Sequence, residues 1–141
     1  MRIRRATMKD LSALLAMDTI LDADADRCRG LRQAIKARTV HVLTERNRVV
    51  AYGAMAQNFF GRFFVEMLFV AKNERRRGMG SALMGLFEKM SLHSGEVWTS
   101  TNQSNRRMQR LLKGRGYVLR GKVVGLDEGD PELIYQKKIA R

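Results

Sequence analysis

The chain has 141 residues, with 27 Lys and Arg against 14 Asp and Glu, a formal net charge of +13, one proline and one cysteine. The lone Cys28 excludes an intramolecular disulfide framework, and Lys9, Asp10 and Asp18 break the apolar run after Arg2, Arg4 and Arg5, which excludes a signal peptide or a membrane span there. One soluble, intracellular domain covering residues 1–141, in a reducing cytoplasm, is therefore expected, and the high charge raises nucleic acid as a partner.

In chain order, Arg2 to Arg5 reads as a short strand, and Thr7 caps a helix carrying Leu11, Leu14 and Leu15. A second helix is expected over Asp24 to Ala37, with Leu31 and Ile35 inward and Gly30 as a weak point. The period then changes to two. Thr39 to Thr44 and Val49 to Ala56, separated by Glu45-Arg46-Asn47-Arg48, read as a hairpin with Asn47 in the turn. Val65 to Val70 is an apolar central strand, followed by a charged turn from Lys72 to Arg77 and the glycines Gly78 and Gly80. From there Met79, Ala82, Leu83, Leu86, Phe87 and Met90 recur at helical spacing and predict one buried face. Ser94-Gly95 stops that helix. Glu96 to Thr101 forms a further strand, and Ser104 caps a helix with Met108, Leu111 and Leu112 that ends at Lys113-Gly114-Arg115-Gly116. Two last strands, Tyr117 to Leu126 and Leu133 to Ile139, flank a turn with Gly129 and Pro131. Strands and helices so interleaved predict an α/β layered domain with a mixed sheet.

The glycine stretch carries the chemistry. Amides in the first turn of a helix have no partners within it, and they and the helix dipole both favour an anion. The spelling fits neither G-x-x-x-x-G-K-[ST] nor G-x-G-x-x-G. It is Arg75-x-x-Gly78-x-Gly80, with Leu68 and Val70 seven and five residues before the arginine. This resembles motif A of the GNAT superfamily of N-acetyltransferases, L-x-V-x-x-x-x-[RQ]-x-x-G-x-[GA]. Asn105-x-x-Met108-x-x-Leu111-Leu112-x-x-x-Gly116-Tyr117 is similar to motif B of the same superfamily.

The resemblance implies a GNAT-like, mostly antiparallel mixed sheet of about seven strands flanked by about four helices. It also implies acetyl-CoA as co-substrate, held by Leu68, Phe69, Val70, Arg75, Arg76, Arg77, Gly78, Met79, Gly80, Ser81 and Asn105. Glu66, the only acid of the central strand, stands two residues before Leu68, where some members place a catalytic glutamate that serves as general base. The family tyrosine that protonates the leaving thiolate aligns with Leu112, so that role has no carrier in motif B; Tyr117 and Tyr135 are other donors to consider.

The acids are unevenly spread. Asp18, Asp22, Asp24 and Asp26 lie close together, as do Asp127, Glu128, Asp130 and Glu132, and the resemblance puts both regions near the acceptor entrance. Asp127 and Glu128 are accordingly candidate acceptor-binding residues, for a cationic small-molecule or peptide amine. Two histidines and one cysteine give a metal site little support. The leading expectation is an N-acetyltransferase acting by direct attack of an amine in a ternary complex, with a homodimer left open. A GNAT-like protein that binds CoA or acyl-CoA without turnover is the second reading. A basic nucleic-acid-binding domain is the third; it has no RNP-like aromatic signature and no zinc spacing.

Overall fold

The computed structural model describes residues 1–17, 25–75 and 77–140, with the side chain of Arg27 also outside the description. The strands are β1 (Arg2–Arg5), β2 (Val40–Glu45), β3 (Arg48–Phe59), β4 (Arg62–Val70), β5 (Glu96–Asn102), β6 (Val118–Val123) and β7 (Glu132–Lys138). The α-helices among the described residues are α1 (Leu11–Met17), α2 (Ala25–Lys36), α3 (Met79–Met90) and α4 (Arg106–Gly114). The sheet order is β1-β2-β3-β4-β5-β7-β6. The pair β4 and β5 is parallel, with Phe64 beside Trp98 and Val65 beside Thr99, while β1 with β2, β2 with β3, β5 with β7 and β6 with β7 are antiparallel. The mixed, mostly antiparallel sheet and its helices match the fold expected from the sequence.

The chain divides into two compact units, Met1–Met55 with Met67–Leu83, and Ala56–Glu66 with Met84–Arg141. The first is built on β2 and β3. Arg46 and Asn47 both have positive φ, 53° and 62°, and Glu45 pairs with Arg48, so the hairpin closes on a two-residue turn whose twist suits the strands. Leu14 of α1 and Leu31 and Ile35 of α2 bury against Val40, Val42, Tyr52 and Ala54; Leu31 and Ile35 face inward as the helical spacing predicted. Each such aliphatic side chain contributes about 1.5–3 kcal/mol on leaving water. The Thr7 amide donates to Asp10 Oδ2 at 2.8 Å, and Arg4 holds the same carboxylate at 2.8 and 2.9 Å, which fixes the start of the Met8–Asp10 turn ahead of α1.

Within the second unit, β5 alternates buried Val97, Thr99 and Thr101 with half-buried Trp98 and Ser100. The Thr99 hydroxyl donates to Val65 O at 2.9 Å and so supports the parallel pair. Strand β6, at an edge of the sheet, is exposed at every residue.

Several expectations are corrected. Strand β3 runs to Phe59 and β4 begins at Arg62, and they are joined by Phe60 and Gly61 with φ of 51° and 77°; this turn was not read from the sequence. In α3 the predicted face needs revision: Met84 and Glu88 are buried with Met79, Leu83 and Phe87, whereas Met90 is 41% exposed. Asn105, not Ser104, caps α4. The strand expected to reach Leu126 stops at Val123, and Gly125, with φ of 103°, lies in the loop beyond it.

Candidate functional site

Strand β4 leads through the turn Lys72–Glu74 to Gly78, whose φ is +79°, a conformation that costs any side chain with a Cβ. A Cβ built at Gly78 meets nothing within 4 Å, so the glycine serves the backbone dihedral and the space in front of it is open. The first helical bond of α3 runs from the Ala82 amide to Gly78 O at 3.0 Å. The amides of Met79 and Gly80 precede it, at the positive end of the helix dipole, and no acid occupies this first turn. A pyrophosphate is the type of group these features accept.

The residues around this turn divide by role. Arg77 is committed to the protein: it forks onto Glu45 at 2.9 and 2.8 Å and reaches Glu74 at 2.5 Å. These bonds hold the Glu45 carboxyl below its ordinary range. Arg77 therefore ties the charged turn to the end of β2, a role the sequence did not suggest. Arg75 is exposed, with Nε 3.4 Å from Val70 O, and Arg76 lies outside the described residues. Phe69 stacks on Tyr52 at 5.9 Å, so its half-buried side chain packs against the core. Leu68 and Val70, which flank it in sequence, and Ser81 are half-buried, in the same unit.

The other candidates belong to the second unit. Glu66 is exposed on β4, and its Oε2 accepts from Asn58 Nδ2, a neutral partner, at 3.1 Å. Asn105 is exposed and its Oδ1 accepts from the Met108 amide at 3.1 Å, which gives it a definite structural duty at the start of α4. The acidic loop before β7 is largely bound to its own unit. Asp127 accepts from Asn102 Nδ2 at 2.9 Å, Asp130 takes the Ser104 amide at 3.0 Å and its hydroxyl at 2.5 Å, and Glu132 takes the Ser100 hydroxyl at 2.6 Å. Glu128 is exposed. Of the other expected acidic cluster, Asp18, Asp22 and Asp24 lie outside the described residues, and Asp26 of α2 is paired with Arg29.

Two groupings escaped the sequence reading. The first surrounds Glu88, which accepts from Arg115 at 2.9 and 2.8 Å, from Lys137 at 3.0 Å and from the Tyr117 hydroxyl at 3.1 Å. Burial alone would raise the Glu88 pKa, but the bonds from Arg115 and Lys137 outweigh it and hold the group below its ordinary value. Burial and the same carboxylate push the Tyr117 phenol well above its own. Tyr117 is thus a buried donor to Glu88, and Tyr135 and Tyr52 are each 2% exposed, so all three tyrosines of the chain are interior residues. The second grouping is aromatic: Phe59 lies 4.9 Å from Phe64, 5.3 Å from Trp98 and 5.0 Å from Phe60, centroid to centroid. No spacing rule foretold it, because it joins three strands; the repeated Phe-Phe on either side of Gly61-Arg62 was the available sign of a hairpin.

A family model described as the acetyltransferase (GNAT) family matches residues 8–117. Among solved structures the chain is similar to an acetyltransferase of the GNAT family from Bacillus cereus, at 29% identity and a TM-score of 0.86 over 99% of this chain and 98% of that one. It shares the fold of a ribosomal-protein-alanine N-acetyltransferase from Brucella melitensis, with 24% identity and a TM-score of 0.77 over 98% and 99%. A Bacillus anthracis protein solved in complex with acetyl coenzyme A has the same fold over 72% of this chain and 62% of that one, with 15% identity and a TM-score of 0.66. No curated protein is matched significantly by the sequence. Among the described residues, no helix is long and apolar enough to cross a membrane.

Proposed function

Because the chain belongs to the GNAT acetyltransferase family, we propose that it transfers the acetyl group of acetyl-CoA to a primary amine by direct attack in a ternary complex, with residues 1–141 acting as one functional domain. The observation that carries the reading is the open turn at Gly78 ahead of α3, with no acid in the first helical turn. The amides of Met79 and Gly80, with that of Ser81, are the groups for the pyrophosphate. The backbone of Leu68, Phe69 and Val70 is offered to the pantetheine arm. Exposed Arg75, with Arg76 next to it in the sequence, supplies the positive field, while Arg77 acts by holding the turn.

Acetyl-CoA supplies a thioester whose carbonyl a neutral amine attacks as the thiolate leaves. A lysine-like amine has a pKa of about 10.4, so its neutral form costs roughly 4.6 kcal/mol at pH 7. Glu66, exposed and bonded to the neutral Asn58, is the group proposed to take the proton, directly or through a water molecule. With every tyrosine buried, the thiol leaves as thiolate or takes its proton from water. A cationic acceptor is favoured by Glu66 and by Glu128 with Asp127 at the loop before β7.

The burial of the tyrosines also favours a second reading, in which the protein binds acetyl-CoA without turnover. One experiment separates the two. At ~1,000 times Kd, acetyl-CoA should stabilise the fold by about 4 kcal/mol, a clear rise in Tm. The change Gly80→Glu, which brings a carboxylate to the helix end, should abolish that rise. Stabilisation with thiol release across a panel of amines supports transfer; stabilisation without release supports binding alone. A Gly80→Glu protein that folds and is stabilised like the parent overturns the site.

A further inference from the structure

We propose that the aromatic group at the β3–β4 turn holds the organic body of the acceptor, and that this body is an aromatic ring joined to the primary amine by a short alkyl arm. The inference rests on the acetyl-transfer reading for the amine and on the second unit alone for the binding surface. Phe60 is 84% exposed, and it sits at φ of 51°, a conformation unusual for a bulky side chain. Its ring is set edge-on to Phe59 at 85°, and Phe59 in turn contacts Phe64 and Trp98, each half-buried. Nothing in the packing of the hairpin calls for a phenyl group at a two-residue turn, where a polar residue tolerant of positive φ is the usual solution.

The charges beside the rings define the other half of the ligand. Arg62 is paired with Glu96 at 2.8 Å, and Glu96 also accepts from the Trp98 indole at 3.1 Å and from Gln136 at 2.6 Å, so this carboxylate holds the Trp98 ring and offsets the charge of Arg62. Arg120 reaches that carboxylate only through Gln136. Glu66 has a neutral partner and is exposed. It follows Phe64 by two residues on one strand, a rise of ~7 Å. A ring over Phe64 with its ammonium on Glu66 needs only a short alkyl arm to span that rise. Ring faces attract a cation as well, which adds to the preference for an ammonium over a neutral or anionic head. Glu66 would then both orient the amine and accept its proton.

Trp98 is the only tryptophan, so the intrinsic fluorescence of the full chain reports on this face directly. The chain is titrated with phenylethylamine, with phenylpropionate as the anionic counterpart and with butylamine as the ring-free one. A saturable change with phenylethylamine, at least tenfold weaker with either of the others, is expected. Phe60→Ser, an exposed position, and Phe64→Leu should each raise Kd and KM for phenylethylamine about threefold to tenfold, with KM for acetyl-CoA unchanged. No saturable signal with phenylethylamine, an equal response to phenylpropionate, or an unaltered Kd in both variants overturns the proposal. Loss of a dimer in Phe60→Ser, without any amine response, would overturn it by assigning the face to a second copy of the chain. If acetyl-CoA stabilises the protein and ring-free amines release thiol while phenylethylamine does not bind, only this inference fails. If phenylethylamine binds as stated and acetyl-CoA does not, the transferase reading fails instead.

Discussion

Replacing Glu88 by glutamine should destabilise the protein by about 3 kcal/mol at pH 7. The magnitude follows from its surroundings: the Glu88 side chain is 10% exposed and is shared by Arg115 and Lys137, which are 24% and 25% exposed. Breaking a buried ion pair from one side costs roughly 3–5 kcal/mol, because the partner charges stay desolvated, and cations that keep a quarter of their surface in water place this case at the lower end. For a chain of this size that is a fall in Tm of roughly 10 °C. Urea unfolding should show a lower midpoint with an unchanged slope. Acid supplies a second check. The carboxyl of Glu88 lies below its ordinary 4.5 in the folded protein, so its contribution is present above that pH and is lost as pH falls through the folded value. The glutamine variant has nothing to titrate there, and its deficit against the parent should narrow below about pH 4.5. A loss under ~1 kcal/mol, or a deficit that stays constant into acid, would refute the argument that this carboxylate is an interior anchor.

Glu66→Gln should bind acetyl-CoA as the parent does and transfer ~10² to 10⁴-fold more slowly near pH 7, with the gap closing as the amine deprotonates at high pH; an unchanged rate at pH 7 removes Glu66 from the mechanism. Asn105→Ala should cost about 1 kcal/mol from the lost cap of α4, and Asn105→Ser should restore it; unrestored affinity for acetyl-CoA in the serine variant would show that the asparagine also meets the co-substrate, and equal stability of the alanine variant would deny the cap. The pair Asp127→Lys, Glu128→Lys should raise KM for a cationic amine several-fold at low salt, less at physiological salt where screening acts beyond ~8 Å, and leave KM for acetyl-CoA nearly unchanged; equal effects on both substrates would discount the loop as an acceptor contact.

Much of the fold was legible in the sequence because it rests on local rules. The hairpin of β2 and β3, the helical spacing of Leu31 with Ile35, the Arg46-Asn47 turn and the glycine that permits φ of +79° ahead of α3 each depend on neighbours a few residues away. The same locality made the motif around Arg75, Gly78 and Gly80 readable, since an anion site at a helix end is built from consecutive amides.

What only the tertiary structure decided concerns partners distant in the chain. Arg77 stood in the motif as a cofactor contact, yet its charge is taken by Glu45, 32 residues away, because a guanidinium fork meets a carboxylate wherever the turn brings them together. Glu88 was not among the residues of the predicted buried face, yet it is buried, because Arg115, Tyr117 and Lys137 supply the hydrogen bonds that make the burial of a charge tolerable. Asn105 was expected near a cofactor and Ser104 as the cap. The structure gives Ser104 to Asp130 and the cap to Asn105, a choice settled by a loop that arrives 26 residues later. Phe59, Phe64 and Trp98 come from three strands, and only the pairing of those strands, which no single-sequence period records, gathers them into one group.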